Sequence, residues 1–87
     1  MYLRLSRDIS IPAGDVISII NLDGHSGQFV RRNLGLPLVA VDGTPEKAWR
    51  SLVITGRRVF ALPVTGETLV RRYQKCLRQV RYVFKNV

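Results

Sequence analysis

The alternation of apolar and polar residues along the first 22 positions predicts three short β-strands. Tyr2–Leu5 places its two leucines on one face, and Ile9–Ile11 repeats the alternation. Turn residues follow at Pro12–Asp15. Val16–Ile20 is β-branched at nearly every position, which favours a central strand covered on both of its faces.

The middle of the chain predicts a short helix, a strand and a single helical turn. A serine in a Gly-rich loop is placed to cap a short helix over residues 26–34, and Gly35 is a stop signal at its end. Leu38–Val41 has the composition of a further strand. Thr44 precedes a proline and an acidic residue, a pattern that predicts an N-cap and one helical turn through Trp49.

Two apolar runs farther along the chain predict a β-hairpin. Ser51–Thr55 and Val59–Leu62 flank the turn sequence Gly56-Arg57-Arg58. Both runs are apolar on both faces, so we expect each strand to be buried from two sides. Another subunit could provide one of those sides.

The last segment is the clearest helix. Thr65 is the predicted N-cap, and Glu67 lies in the first turn, where the helix dipole favours an anion. Apolar residues recur at helical spacing at Leu69, Tyr73, Cys76, Leu77, Val80 and Phe84. Basic residues fall on the opposite face at Arg71, Lys75, Arg78 and Lys85. Together the elements predict an α+β fold, a small and mostly antiparallel sheet with one short helix and one longer C-terminal helix.

Length and composition limit the architecture. With 87 residues the chain is expected to form one domain, and 46% of its residues are hydrophobic. So rich an apolar content in a small domain suggests surface that self-association would cover, although a monomer with a large core fits equally well. The N-terminus lacks the features of a signal peptide, and Leu36–Val41 is far too short to span a bilayer. We therefore expect a cytoplasmic protein with no membrane partner.

The net charge of the chain is the strongest indication of its binding partner. Fourteen Lys and Arg against six Asp and Glu give a formal net charge of +8, which predicts an anionic partner. Eleven of the fourteen are arginines, which favours forked contacts with phosphates. The arginines include three adjacent pairs, Arg31-Arg32, Arg57-Arg58 and Arg71-Arg72.

Catalysis finds little support in the residue pattern. His25 is the sole histidine and lies beside Asp23 and Ser26 in one loop, an arrangement that rarely gives triad geometry. Cys76 is the sole cysteine, so neither a disulfide nor the usual zinc ligand sets can form within the chain. We expect no enzymatic activity, no metal or cofactor, and no small-molecule substrate.

Two stretches resemble the bacterial extracellular-matrix regulators of the RemA/RemB type. Residues 1–22 are similar to the opening of that family without a gap, most of all to its RemB-like members. Residues 62–72, Leu-Pro-Val-Thr-Gly-Glu-Thr-Leu-Val-Arg-Arg, resemble the family's Ser-Pro-Ile-Ser-Ser-x-Thr-Leu-x-Lys-Arg motif. The resemblance implies a Rem-type domain over residues 1–72, with 73–87 as a basic helical extension of the same domain.

The resemblance also carries functional expectations. It implies small α+β subunits that assemble into rings and bind promoter DNA of matrix genes through basic residues. Lys47 and Arg50 are candidate matches to the family's basic residues. Asp15 stands where RemA-type proteins tend to carry an arginine, so no DNA contact is transferred to that position.

Together these observations predict a DNA-binding transcriptional regulator of extracellular-matrix or biofilm genes, acting as a homo-oligomer mainly through phosphates and DNA shape. The alternatives are an adaptor whose basic face meets an acidic protein, and an RNA-binding module. The candidate contacts are Arg31, Arg32, Lys47, Arg50, Arg57, Arg58, Arg71 and Arg72.

Overall fold

The computed structural model describes residues 1–22 and 35–85, with only the backbone of 77–85. Six strands and one α-helix lie in this part of the chain: β1 Tyr2–Arg4, β2 Ser10–Pro12, β3 Val16–Asn21, β4 Leu38–Ala40, β5 Ser51–Thr55, β6 Val59–Leu62 and α1 Gly66–Lys85. Three single 3₁₀ turns connect them, at Ala13–Asp15, Val41–Gly43 and Glu46–Ala48. The α+β class is confirmed, and the short helix predicted over residues 26–34 lies outside the described residues.

The strands form two sheets, and the larger one is mixed. β1 and β2 pair antiparallel as a separate two-stranded sheet. The four-stranded sheet has the order β3-β5-β6-β4, in which β4 runs parallel to β6 and the other pairs are antiparallel. Three of the four pairings among the described strands are antiparallel, in agreement with the expected mostly antiparallel arrangement, but the strands divide into two sheets and β4 is parallel to its neighbour. Strand composition indicates where strands are and not which strands pair.

β3 lies at an edge of the larger sheet, so the prediction that it is a central strand was wrong. Among the described strands it pairs with β5 alone. An irregularity between Val16 and Ser18 interrupts the ladder, and Ile17 beside it is 68% exposed. β-Branched residues favour any pleated strand, so their density does not distinguish an edge from a centre.

The predicted burial of the hairpin on both faces is confirmed. Along β5 and β6 the side chains alternate between two apolar clusters. Val53, Phe60 and Leu62 belong to the first cluster, whose other buried members are Leu3, Leu5, Ile11, Val41 and Leu69. Leu52, Val59 and Ala61 belong to the second, where the packed neighbours include Leu22, Leu36 and Trp49. Fully burying one such aliphatic side chain contributes roughly 1.5–3 kcal/mol, so the hairpin is the centre of the core.

The turn after β4 differs from its predicted capping. Glu46–Ala48 is the expected single turn, but its N-cap is Pro45 and no side chain caps it. The Thr44 hydroxyl instead donates to the carbonyl of Val41 at 2.7 Å. Trp49 donates from its indole nitrogen to the Thr44 carbonyl at 2.8 Å, so these two residues fasten the segment that enters β5.

α1 begins as predicted and packs close to β3. The backbone N–H of Thr68 donates to the Thr65 hydroxyl at 3.3 Å, which confirms Thr65 as the cap. Gly66 donates to the Asn21 side-chain oxygen at 3.2 Å. A Cβ at Gly66 would lie only 3.1 Å from Asn21 Cβ, so this glycine permits the close approach of helix and strand. No helix in the described part of the chain is long and apolar enough to cross a bilayer.

The register defines two ends of the larger sheet. The turn between β5 and β6, the start of β3 and the start of β4 share one end, which we call the hairpin end, because Val16 faces Thr55 and Leu38 faces Val59. The opposite end holds Asn21, which faces Ser51, and the first turn of α1. α1 runs from the opposite end along β1 towards Tyr2, whose partner Pro12 precedes β3.

Candidate nucleic-acid interface

The turn at the hairpin end is organised by one buried hydroxyl. Thr55 is 6% exposed, and its Oγ1 donates to the carbonyl of Arg58 at 2.7 Å. The same oxygen accepts from the backbone N–H groups of Arg57 and Arg58 at 3.4 and 3.1 Å. Since the Thr55 N–H also donates to the Arg58 carbonyl at 3.0 Å, both arginines extend from a turn whose backbone is held in place.

The side chains of Arg57 and Arg58 are exposed and carry uncompensated charge. Neither guanidinium has a hydrogen-bond or ion-pair partner among the described residues. Both side chains line a groove of about 630 Å³ whose apolar part includes Ile11, Ile17 and Phe60. A pair of unneutralised guanidinium groups on a fixed turn is suited to bidentate contact with phosphate oxygens.

Asp15 is the acidic residue that lines this groove. It is exposed and lies at the start of β3, at the same end of the sheet as the two arginines. A carboxylate there lowers the positive potential that an approaching phosphate would meet. The acidic charge of Asp15 therefore opposes the binding of a phosphate in this groove.

Neutralising this carboxylate should strengthen the binding of duplex DNA. We expect Asp15→Asn to raise the affinity about two- to fivefold at low salt, since the charge is exposed and partly screened. Fluorescence anisotropy with a labelled duplex measures the change. Asp8→Asn is the matched control, because Asp8 is also exposed but lies in the turn between β1 and β2. Equal gains from both variants would show that only net charge matters.

Lys47 and Arg50 lie at the opposite end of the sheet, apart from the hairpin turn. The backbone of Arg50 bonds to Leu62 and Leu22 there, at 2.7 and 2.8 Å. The length of β5 separates Arg50 from the hairpin turn by roughly 20 Å. This end also holds acidic residues, since Glu46 adjoins Lys47 and Asp42 begins the same connection. The two candidates are exposed, but they lie in a surface of mixed charge.

The adjacent pair Arg71-Arg72 is split by the helix. Arg71 is exposed and lines a second groove, of about 420 Å³, with Ile19 and Val70. Arg72 is half-buried, and its guanidinium donates to the backbone carbonyl of Arg4 at 3.0 Å. Arg72 therefore joins α1 to β1, and its role as a phosphate contact stays a prediction. Arg31 and Arg32 lie outside the described residues.

Thr55 is the residue of this site that sequence reasoning missed. A threonine that ends a strand just before a Gly-containing turn is a signal for a hydroxyl-to-backbone turn, and it was available in Thr55-Gly56. The tertiary structure adds that the hydroxyl is buried, so its bonds cannot be exchanged for water without cost.

Removing this hydroxyl should loosen the turn. We expect Thr55→Val to lower the free energy of unfolding by about 1–3 kcal/mol, since the Arg58 carbonyl loses one donor and the N–H groups of Arg57 and Arg58 lose their acceptor. Chemical denaturation measures this value, and duplex affinity should fall severalfold as well. Thr55→Ser keeps the hydroxyl and should restore most of both. A Thr55→Val protein with unchanged stability would contradict this role.

The one cysteine of the chain contributes to packing between elements in this structure. The half-buried Cys76 donates from Sγ to the Tyr2 carbonyl at 3.3 Å and so joins α1 to β1. No group of three His, Cys, Asp or Glu placed to hold a metal ion occurs in the described ranges. The loop that contains His25 lies outside them.

Comparison with known proteins supports the resemblance found in the sequence. No protein-family model matches the chain. The chain is 24% identical over 78 residues to the extracellular matrix regulatory protein B of Bacillus subtilis (strain 168), an alignment that covers 85% of this chain and 91% of that protein. The resemblance to the RemB-like extracellular-matrix regulators, drawn from residues 1–22 and 62–72, is thus confirmed over most of the chain.

Proposed function

We propose that the protein is a regulator of extracellular-matrix genes that binds duplex DNA through the Arg57-Arg58 turn. The observation that carries this proposal is the pair of exposed, unneutralised guanidinium groups on a turn held by the buried Thr55 hydroxyl. The similarity to a regulatory protein of the extracellular matrix supports the biological role. It also favours a binding function over an enzymatic one.

The chemistry of the site suits backbone contacts rather than base reading. Arginine forks pair with phosphate oxygens and displace condensed counterions, a term that is independent of sequence and falls with salt. The turn carries only two arginines per chain, so it neutralises few phosphates by itself. DNA shape and deformability would then supply any preference among sequences.

Self-association would raise the affinity of so small a site. Several copies of the turn on one assembly would engage several phosphates at once, and linked sites bind far more tightly than single ones. Exposed apolar side chains such as Ile17 on the edge strand β3 offer surface for such contacts. The proposal therefore includes a cytoplasmic homo-oligomer.

A salt titration of the wild-type protein tests the proposal directly. Binding of a labelled duplex is measured by anisotropy from about 50 to 300 mM salt, and log affinity should fall linearly with log salt at a slope near −0.9 per phosphate contacted. We expect a slope steeper than about −2, as an oligomer with several turns requires. Absence of duplex binding at the lowest salt would overturn the proposal.

An acidic protein partner is a second candidate, favoured by the groove beside the turn. An apolar lining that includes Ile17 and Phe60, with two arginines at the rim, also suits a peptide that carries both apolar and acidic residues. Competition separates the candidates in the same assay. Displacement of the duplex by acidic peptide or by RNA, at concentrations where unlabelled duplex is ineffective, would favour those partners instead.

A further inference from the structure

The outer edge of β3 presents backbone hydrogen-bonding groups at Ile19. Among the described strands β3 pairs with β5 alone. The N–H of Leu22 donates to the Arg50 carbonyl at 2.8 Å, and residues that bond across an antiparallel ladder alternate with residues that do not. Counted back from Leu22, Ile20 also bonds to β5, whereas the N–H and C=O of Ile19 point away from it.

The sequence of β3 lacks the residues that usually prevent a further strand from pairing with an edge. Edge strands are commonly protected by Lys, Pro or an inward-pointing charge, or by a bulge. β3 reads Val-Ile-Ser-Ile-Ile-Asn, with no charge and no proline, and four of its six residues are β-branched aliphatics. Its irregularity is confined to the start, and Ser18–Asn21 pairs regularly with β5. This half of the edge is therefore a regular template for another strand.

A groove between β3 and α1 lies beside this half of the edge. It has a volume of about 420 Å³, and its lining includes Ile19, Val70 and the close approach of Gly66 to Asn21. We call it the helix groove. Ile19 packs against the first apolar cluster, on the α1 side of the sheet, and Val70 is 40% exposed. Residues directly opposite each other in a ladder have their side chains on the same face. A residue paired with Ile19 would therefore direct its side chain into the helix groove.

The charges along the helix groove indicate what kind of chain fits it. Glu67 lies at the end away from the hairpin turn, and Arg71 lies one turn farther along α1; both are exposed. Past the start of β3, the two exposed arginines of the hairpin turn outnumber the carboxylate of Asp15. The potential thus becomes more positive towards the hairpin end. A chain antiparallel to β3 runs in that direction, so its acidic residues should follow its apolar ones.

A slender peptide fits this edge better than a second copy of the chain. α1 begins directly on β3, since a Cβ at Gly66 would lie 3.1 Å from Asn21 Cβ. A second copy that paired its own β3 with Ser18–Asn21 would bring its own α1 to the same face of the joined sheet. Neighbouring strands lie about 4.8 Å apart, whereas packed helices need about 8–10 Å between axes, so the two helices would be crowded. A single extended peptide brings no helix.

We propose that an extended segment of an acidic partner protein adds to β3 as a further antiparallel strand. An apolar side chain opposite Ile19 fills the helix groove, and acidic residues follow it towards the hairpin turn. Main-chain bonds supply affinity in this mode of recognition, and the groove supplies specificity. The inference goes beyond DNA binding, because its central contacts are Ile19 and Val70. It also differs from the second candidate function, in which a peptide lies in the groove beside the arginine turn.

The fluorescein-labelled peptide Ser-Thr-Val-Thr-Ile-Thr-Val-Glu-Glu tests the proposal on the wild-type chain. Its apolar residues alternate, its central Ile can pair with Ile19, and its acidic residues come last. We expect saturable binding by anisotropy with a Kd below about 500 µM. In amide NMR spectra the Ile19 N–H should become protected from hydrogen exchange when the peptide binds, since it gains an acceptor.

N-methylated probes separate strand addition from general adhesion. A methyl group on the amide nitrogen of the central Ile removes the N–H that would donate to the Ile19 carbonyl, and binding should weaken about tenfold. The amide of the preceding Thr faces away from β3, so its methylation should have a much smaller effect.

A matched pair of protein variants tests the helix groove. Val70→Asp places a charge in the groove and should also weaken binding about tenfold. Lys75→Gln changes the net charge by the same amount at an exposed position of the same helix and should weaken binding by less than about twofold. Thermal melts check that Val70→Asp folds, and the methylated probes need no variant.

Several outcomes would overturn the peptide proposal. These are the absence of saturable binding up to about 1 mM, equal losses with the two methylated probes, and equal losses in the two variants. An Ile19 amide that is already protected in the free protein, together with a light-scattering mass above one chain, would show that a second copy covers the edge. Duplex anisotropy without peptide reports on DNA binding separately, so each proposal can fail without the other.

Discussion

Charge reversal of both turn arginines, Arg57→Glu and Arg58→Glu together, is expected to lower duplex DNA affinity at least tenfold near 100 mM salt and to reduce the salt slope by about 2 for each chain whose turn contacts the duplex. Each guanidinium that leaves a phosphate removes close to one unit of slope, and each new carboxylate adds repulsion. The melting temperature should stay nearly unchanged, since both side chains are exposed and bond to no described residue.

A second double variant separates a local site from a general charge effect. Lys47→Glu with Arg50→Glu changes the net charge by the same amount at the opposite end of the sheet, about 20 Å from the hairpin turn. We expect it to lower affinity by less than about threefold, as screening at this distance predicts. Equal losses in the two variants, or an unchanged affinity in the first, would remove the hairpin turn from the proposed site.

Replacing Leu69 by alanine is expected to cost about 2–5 kcal/mol of unfolding free energy. Leu69 is fully buried and belongs to the core cluster that also holds Leu3, Leu62 and Phe60. The loss would be a large part of the stability of an 87-residue domain, which is about 4–13 kcal/mol at typical values per residue. Thermal denaturation should show a fall in melting temperature of roughly 10–30 °C.

The neighbouring residue provides the control. Val70 is 40% exposed on the same turn of α1, so Val70→Ala removes little buried surface and slightly improves helix propensity. We expect a change within about 1 kcal/mol of zero. If both variants lost equal stability, α1 would not be fastened to the sheet through Leu69. Helix content by circular dichroism would show whether α1 melts separately from the sheet.

The positions of the elements followed closely from local chemistry. Alternation located β1 and β2, apolar runs on either side of a turn located β5 and β6, and the Thr65 hydroxyl begins α1 as its residue type predicted. The dual burial of the hairpin also followed, since residues apolar on both faces must be covered from two sides. Thr44 shows the limit of this reasoning, because its hydroxyl bonds back to Val41 instead of capping the next turn.

The candidate site was predictable as a list of charges but not as a surface. Adjacent arginines such as Arg71 and Arg72 look equivalent in the sequence, yet the helix directs one to solvent and the other to the Arg4 carbonyl. Residues close in the chain were also separated in space, since β5 carries Arg50 and Arg57 to opposite ends of the sheet. Asp15, distant in sequence from Arg57, lines the same groove.

The sequence by itself determined the α+β class, the strand and helix segments, the excess of positive charge and the resemblance to extracellular-matrix regulators. These properties depend on residue type and local spacing, which can be read directly from the linear sequence. Only the tertiary structure decided that β4 runs parallel to β6, that β3 is an edge strand, and that Thr55 braces the arginine turn. Those features depend on contacts between segments that are distant in the chain. The free energy of such contacts comes from packing and strand register, which a local sequence pattern does not specify.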